Sequence, residues 1–184
     1  MTLILAAFEP FDGRRRNRSW ELARRVRPRA GLEVVQLPVD FARLGQEVAR
    51  LVERAPRGLL LLGEASRRLV CVEQVALNLR DSDRADNQGA RPRGEPIVAG
   101  GPLALRVPWD ARAVAQRLNE AGAPAAVSFH AGTFACNAAL YQALHAAGDR
   151  LPVAFVHVPR RGWPWGVRMS ALLRAVEVCI EMLA

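Results

Sequence analysis

The sequence has no lysine: all 26 of its basic residues are arginine, and against 18 acidic residues they leave a formal charge of +8. A charge of that size raises the question of a nucleic-acid partner. The arginines are spread along the whole chain, with one run at Arg14-Arg15-Arg16-Asn17-Arg18, and no nucleic-acid motif accompanies them. The surplus therefore reads as solvated surface, and neither nucleic acid nor free phosphate is an expected partner. Cysteine is scarce. Cys71, Cys136 and Cys179 are odd in number, widely spaced and without a Cys-x-x-Cys pair, which argues against a disulfide framework and a zinc site. No metal or other cofactor is implied. No apolar run reaches the roughly 18 to 20 residues of a membrane span, so no membrane association is expected. A basic leader is also missing: Met1 to Phe8 runs straight into Glu9 and reads as a strand, so a cytoplasmic protein is expected. Internal repeats and low-complexity segments are absent.

What is present fits one domain spanning residues 1–184. The chain has 184 residues, 51% hydrophobic and 24% charged, enough to bury one core and short for two. Short apolar runs alternate with helix-period stretches, the pattern of an α/β domain. Strands are expected over Leu3 to Phe8, Leu32 to Val39, Leu59 to Leu62, Leu69 to Leu79, Ala125 to Phe129 and Val153 to Val158. Helices are expected over Trp20 to Val26, after the N-cap candidate Asp40, from Asp110 to Ala121, after Gly132 and at the C-terminal end. Residues 80–107 are polar and rich in Gly and Pro; a segment that long either has a function or hides short strands. Arg160 to Gly166, with its Trp-Pro-Trp, reads as a rigid loop.

Three residues stand out for chemistry. Cys136 follows a strand and a glycine turn, and should lie in the first turn of a helix. There, free N–H groups and the helix dipole would lower a thiol's pKa and could hold an oxyanion. A small buried core cysteine is the open alternative. His157 ends the strand Val153-Ala-Phe-Val-His-Val-Pro159, at the edge where α/β proteins place their sites; a hydrogen-bonded structural histidine is equally compatible. His130 and His145 have less in their favour. Glu73 is a carboxylate among Val and Leu, costly to bury unpaired. A histidine partner would satisfy it and fix the imidazole's tautomer, whereas a solvent-facing Glu paired with an Arg is the alternative. Spacing alone does not bring the three together.

Five stretches of the chain resemble the pyroglutamyl-peptidase I (pyrrolidone-carboxylate peptidase) family. They are Phe8-Glu-Pro-Phe-Asp-Gly13 with Asn17, Val72-Glu-Gln-Val-Ala-Leu-Asn78, Asp86-Asn-Gln-Gly89 with Glu95 to Pro102, Pro124-Ala-Ala-Val-Ser128 with Ala131-Gly-Thr-Phe-Ala-Cys-Asn137, and Val156-His-Val-Pro159. They come in the family's order and cover nearly the whole chain. The resemblance implies a single-domain three-layer α/β/α sandwich around a twisted mixed sheet. It implies a cysteine peptidase that removes N-terminal pyroglutamate from short peptides, with Cys136 as nucleophile, His157 as base and acid, and Glu73 orienting His157. It places Phe8, Phe11 and Phe134 as aromatic walls of the substrate pocket, with Asn17, Glu64 and Arg84 in the same shell. A homo-oligomer, tetramer or dimer, is implied as well.

The sequence also departs from the family. Gly63-Glu-Ala-Ser-Arg-Arg68 stands where the family usually has Gly-Gln-Ala-Gly-Gly-Arg, so Glu64 replaces a glutamine. A carboxylate there would be awkward beside a lactam unless protonated or paired with Arg67 or Arg68. Arg80-Asp-Ser-Asp-Arg-Ala-Asp86 replaces a tighter pattern, leaving Arg84 as a shifted candidate for the loop arginine. These changes set up the alternative to the peptidase, a catalytically weakened or inactive peptide-binding homologue with an altered pocket.

Overall fold

Leu3–Phe8 forms the first strand, β1, and each of its residues is buried, as in a strand covered on both faces. The structure, a computed structural model, describes residues 2–162 and 164–183. After β1, Asn17 caps the short helix α1 (Arg18–Ala23) by accepting from the N–H of Ser19. The helix expected over Trp20 to Val26 thus begins and ends earlier, because the cap fixes its first turn. Strand β2 (Leu32–Leu37) leads to α2 (Phe41–Glu53), whose cap Asp40 accepts from the N–H groups of Ala42 and Arg43. That helix buries Leu44, Val48, Leu51 and Val52, the apolar face its period requires.

Strand β3 (Gly58–Ala65) stays buried up to its last residue and continues past the apolar run that announces it. The stretch Leu69 to Leu79 is not one strand but two, β4 (Val70–Glu73) and β5 (Val75–Leu77). Gln74 divides them: its N–H donates to the Ser128 carbonyl at 2.8 Å and its side chain donates to the Val107 carbonyl at 3.0 Å. The chain therefore leaves the main sheet there. Strand β5 instead pairs antiparallel with β6 (Ala104–Arg106), a short strand at the end of the long polar segment. The rest of that segment is pinned by two side chains. Asn78 Oδ1 accepts from the N–H groups of Ile97 and Val98, and Asp86 accepts from those of Phe41, Gln88 and Ala90.

Helix α3 (Ala111–Glu120), capped by Asp110, is followed by β7 (Ala125–Ser128), α4 (Ala135–Ala147), β8 (Val153–Pro159) and α5 (Met169–Leu183). The main sheet has the order β2-β1-β3-β8-β4-β7. Neighbours run parallel except β8 and β4, so the sheet is mixed. Helices α2 and α4 cover one face with β5 and β6 beside them, and α1, α3 and α5 cover the other. The result is a three-layer α/β/α sandwich. In the loop after β8, the Cα of Gly166 closes on the Arg161 carbonyl so tightly that a Cβ would clash with it; Trp163 of that loop lies outside the described residues. Among the described residues no helix is long and apolar enough to cross a membrane.

Candidate active site

On β8, His157 lies between Gly63 of β3 and Cys71 of β4. Side chains alternate along a strand, so Glu73, two residues beyond Cys71, shares that face and sits diagonally across from the imidazole. Its Oε1 is 2.7 Å from His157 Nδ1. Glu73 is 0% exposed and His157 5%, and a carboxylate buried so deeply demands a partner. With the carboxylate accepting, Nδ1 carries the proton and Nε2 offers its lone pair. Phe155 backs the ring, with centroids 4.8 Å apart.

Cys136 is the second residue of α4. Unlike α1, α2 and α3, this helix has no side-chain cap: Phe134 holds the N-cap position and makes no such bond. Its first N–H groups are left for another acceptor. The sulfur and the imidazole meet over Gly63. A Cβ on that glycine would fall 2.8 Å from Cys136 Sγ and 2.9 Å from His157 Cδ2, and Cδ2 is the ring atom bonded to Nε2. Sulfur and imidazole are not hydrogen-bonded to each other at rest, a looseness common before substrate tightens a site.

The expected lowering of the Cys136 pKa is not found. Burial pushes the thiol up to about 12, helped by the charges of Glu73 and Glu64. The thiol's own backbone N–H and Arg84 oppose this and do not overcome it. Cys136 is half-buried, and desolvation of its thiol outweighs the helix terminus.

Of the expected aromatic walls, Phe11 and Phe134 stand together with centroids 5.7 Å apart. Arg84 covers both, its guanidinium carbon 5.7 Å and 6.0 Å from their centroids. Phe8 does not join them. It is 2% exposed and packs in the core against Phe155, because an inward position on a central strand faces the core and not a cleft. Phe41 takes a place in the cluster instead, edge-on to Phe134 at 5.3 Å.

Asn17 and Glu64 are also placed differently from expectation. Asn17 is buried, with Oδ1 accepting from Ser19 and Nδ2 donating to the Glu9 carbonyl, so it holds the loop. Glu64 pairs with neither Arg67 nor Arg68. Its Oε1 faces Arg14 and, at 3.6 Å, Arg160, while Oε2 accepts from the Arg18 N–H at 2.7 Å. Arg14 also lies over the Phe11 ring, 4.7 Å from its centroid.

Sequence reasoning missed Gly63, Phe41, Arg14 and Asn137 as parts of the site. Asn137, fully buried beside Cys136, accepts from the Leu77 N–H and donates to the carbonyls of Leu77 and Leu79. A polar side chain in the first turn of an otherwise apolar helix was its signal. Gly63, the glycine closing an apolar run, had one as well; Phe41 and Arg14 had none.

A family profile described as Pyroglutamyl peptidase matches residues 1–162. The chain is 42% identical over 167 residues to the pyrrolidone-carboxylate peptidase of Thermococcus onnurineus, covering 86% of this chain and 84% of that protein. It is 35% identical to the one from Gloeobacter violaceus over 100% and 97% of the two chains. The crystal structure of pyrrolidone carboxyl peptidase from Thermus thermophilus superposes with a TM-score of 0.93 at 33% identity, over 99% of this chain and 100% of that one.

Proposed function

Because this chain belongs to the pyroglutamyl peptidase family of hydrolases, we propose that residues 1–184 form one catalytic domain that removes N-terminal pyroglutamate from peptides through Cys136, His157 and Glu73. The observation that carries this reading is the buried 2.7 Å contact of Glu73 with His157 Nδ1, with the Cys136 sulfur and the same ring both packed against Gly63.

Burial disfavours a free thiolate at Cys136, and in this reading its proton leaves in step with attack. His157 Nε2 takes that proton, and Glu73 stabilises the imidazolium that results. The sulfur forms a bond to the carbonyl carbon of the pyroglutamyl amide. The oxyanion falls to the uncapped N–H groups at the start of α4. Collapse breaks the C–N bond, and His157 returns the proton to the leaving amine. Water then attacks the thioester with His157 again accepting a proton, which releases pyroglutamate and regenerates the thiol.

Pyroglutamate carries a neutral lactam, and the angled rings of Phe11, Phe134 and Phe41 offer apolar walls for it beside Arg84. The carboxylate of Glu64 does not stand free in that pocket. Arg14 and Arg160 neutralise it, and its side chain is 1% exposed, which supports the peptidase reading over the binding-only alternative as far as Glu64 is concerned. We place the protein in the cytoplasm, and on the family resemblance we take it to be a homo-oligomer, tetramer or dimer. The test is release of a chromophore from a pyroglutamyl amide by the reduced protein. Turnover is expected, with at least a thousandfold loss in Cys136→Ser; a reduced, folded protein with no turnover on any pyroglutamyl amide overturns the proposal.

A further inference from the structure

Beyond the ends of β3 and β8 lies a cleft of about 330 Å³ lined by Ser66, Arg67, Arg68, Arg160, Arg161 and Trp165. Arg160 shares Glu64 with Arg14. Among the described residues, Arg67, Arg68 and Arg161 have no carboxylate partner, although Arg67 also lies close to the Cys71 thiol. Three arginines without a carboxylate partner line one space together with Arg160, and an anion between them relieves their mutual repulsion. The guanidinium fork suits a carboxylate in particular, because it can donate two parallel N–H bonds.

The walls are built, not incidental. Arg18 donates to the carbonyls of Pro159 at 2.9 Å and Val167 at 2.6 Å, holding both ends of the loop that carries Arg160, Arg161 and Trp165. The Arg160 N–H donates to the Ala65 carbonyl at 2.9 Å, which ties this loop to the segment bearing Ser66 to Arg68. Gly166 lets the loop fold back onto Arg161. Ser66 and Arg67 are also two of the residues by which this segment departs from the family pattern.

Position fixes what the anion belongs to. Gly63 and His157 pair across β3 and β8, and the cleft opens three residues further along both strands. At about 3.3 Å per residue that is roughly 10 Å, the reach of about three extended peptide residues. Resting on the peptidase reading above, we infer that this cleft is a carboxylate subsite for the leaving peptide, favouring substrates with a negative charge two or three residues after the pyroglutamyl bond. The exposed indole of Trp165, 63% accessible, gives the peptide an apolar face to lie on.

The experiment uses four ligands. They are a pyroglutamyl tripeptide with a free C-terminus, its C-terminal amide, the same amide with glutamate as its third residue, and a neutral chromogenic pyroglutamyl amide. Affinity for the three peptides is read by calorimetry on Cys136→Ser, and turnover of the chromogenic amide on the unaltered chain. A failure of the reaction reading shows in the second measurement and a failure of the subsite in the first. The free acid is expected to bind about tenfold more tightly than the amide at low salt, with the advantage shrinking in high salt. If the glutamyl amide shares the advantage, the side-chain carboxylate is a source as well as the C-terminal one. In Cys136→Ser the further changes Arg67→Ala and Arg161→Ala together should reduce the advantage to about twofold, and Arg161→Glu should reverse it. In the chain with Cys136 intact, the same cleft changes should leave turnover of the chromogenic amide within about twofold. Equal affinity for acid and both amides, or an advantage that survives these substitutions, overturns the inference.

Discussion

The Cα of Gly63 and the sulfur of Cys136 are so close that a methyl group on the glycine would stand 2.8 Å from the sulfur, and 2.9 Å from the His157 ring. Gly63 is buried in the middle of the sheet, paired with His157 on β8, and its missing side chain is the space the nucleophile occupies. The substitution Gly63→Ala should therefore push sulfur and imidazole apart without removing either. Overpacking of this kind costs about 1–3 kcal/mol in stability, and a displacement of about 1 Å at reacting atoms can lower the rate about 10²-fold. Urea unfolding and kcat on a pyroglutamyl amide measure the two effects. A variant with kcat near the original value would show that the sulfur does not work from this position.

Glu73 is expected to act through the imidazole. In Glu73→Gln the amide can turn its NH₂ toward Nδ1, favouring the tautomer whose Nε2 proton blocks acceptance from the thiol. A fall in kcat of about 10³–10⁴-fold is expected, with KM changed only a few-fold. Steady-state kinetics decide this, and a loss confined to KM would count against the role.

Glu64 should act chiefly on the pocket, since its charge ranks behind burial and Glu73 in raising the Cys136 thiol. The variant Glu64→Gln keeps an acceptor for the Arg18 N–H but removes the charge facing Arg14 and Arg160. Both arginines reach water, which limits the cost to about 2 kcal/mol, a drop in Tm of about 5 °C. Arg14, which lies over Phe11, loses its anchor, so KM should rise several-fold while kcat holds. Calorimetry and kinetics on the same sample test both halves.

Stability should fall at alkaline pH for a specific reason. Burial raises the thiols of Cys136 and Cys179 from 9.0 to about 12. Between those values the unfolded chain releases protons that the folded chain keeps, so the folded state loses ground as pH rises. The contribution is intact below pH 9 and declines from there to about 12. The limiting slope is about 1.4 kcal/mol per pH unit for each thiol. Cys179 is far from the chemistry, in the core under α5. In Cys179→Ala the slope of unfolding free energy between pH 9 and 11 should become shallower by about that amount. An unchanged slope would mean that this thiol ionises as readily folded as unfolded.

Asn137 joins α4 to the segment around β5 through three hydrogen bonds. The change Asn137→Ala strands the Leu77 N–H and the carbonyls of Leu77 and Leu79 at about 1–3 kcal/mol for each group left unsatisfied. A loss near 4 kcal/mol by urea titration is expected, together with reduced turnover, since α4 carries Cys136 in its first turn.

Much of the frame was legible from short stretches. Asp40 and Asp110 announced their helices, because a cap is decided within three or four residues. Leu3 to Phe8 and Leu59 to Leu62 announced central strands, because continuous burial needs continuous apolarity. The ordered blocks around Cys136, Glu73 and His157 named the three residues that the fold then gathers. The sequence could not tell that β4 stops at Glu73, since the switch at Gln74 depends on carbonyls of Ser128 and Val107. Phe8 and Phe11 looked alike in sequence and part ways only because one lies inside a central strand. The helix terminus was expected to lower the Cys136 pKa, but burial by distant elements raises it. Glu64 found its partners in Arg14 and Arg160, not in the neighbouring Arg67 and Arg68. Residue types, caps and apolar period are local properties, and the sequence by itself determined those. Which charges are neutralised, how dry the thiol is, and which arginines are left to face a common cleft depend on strands brought together from opposite ends of the chain, and only the tertiary structure decided them.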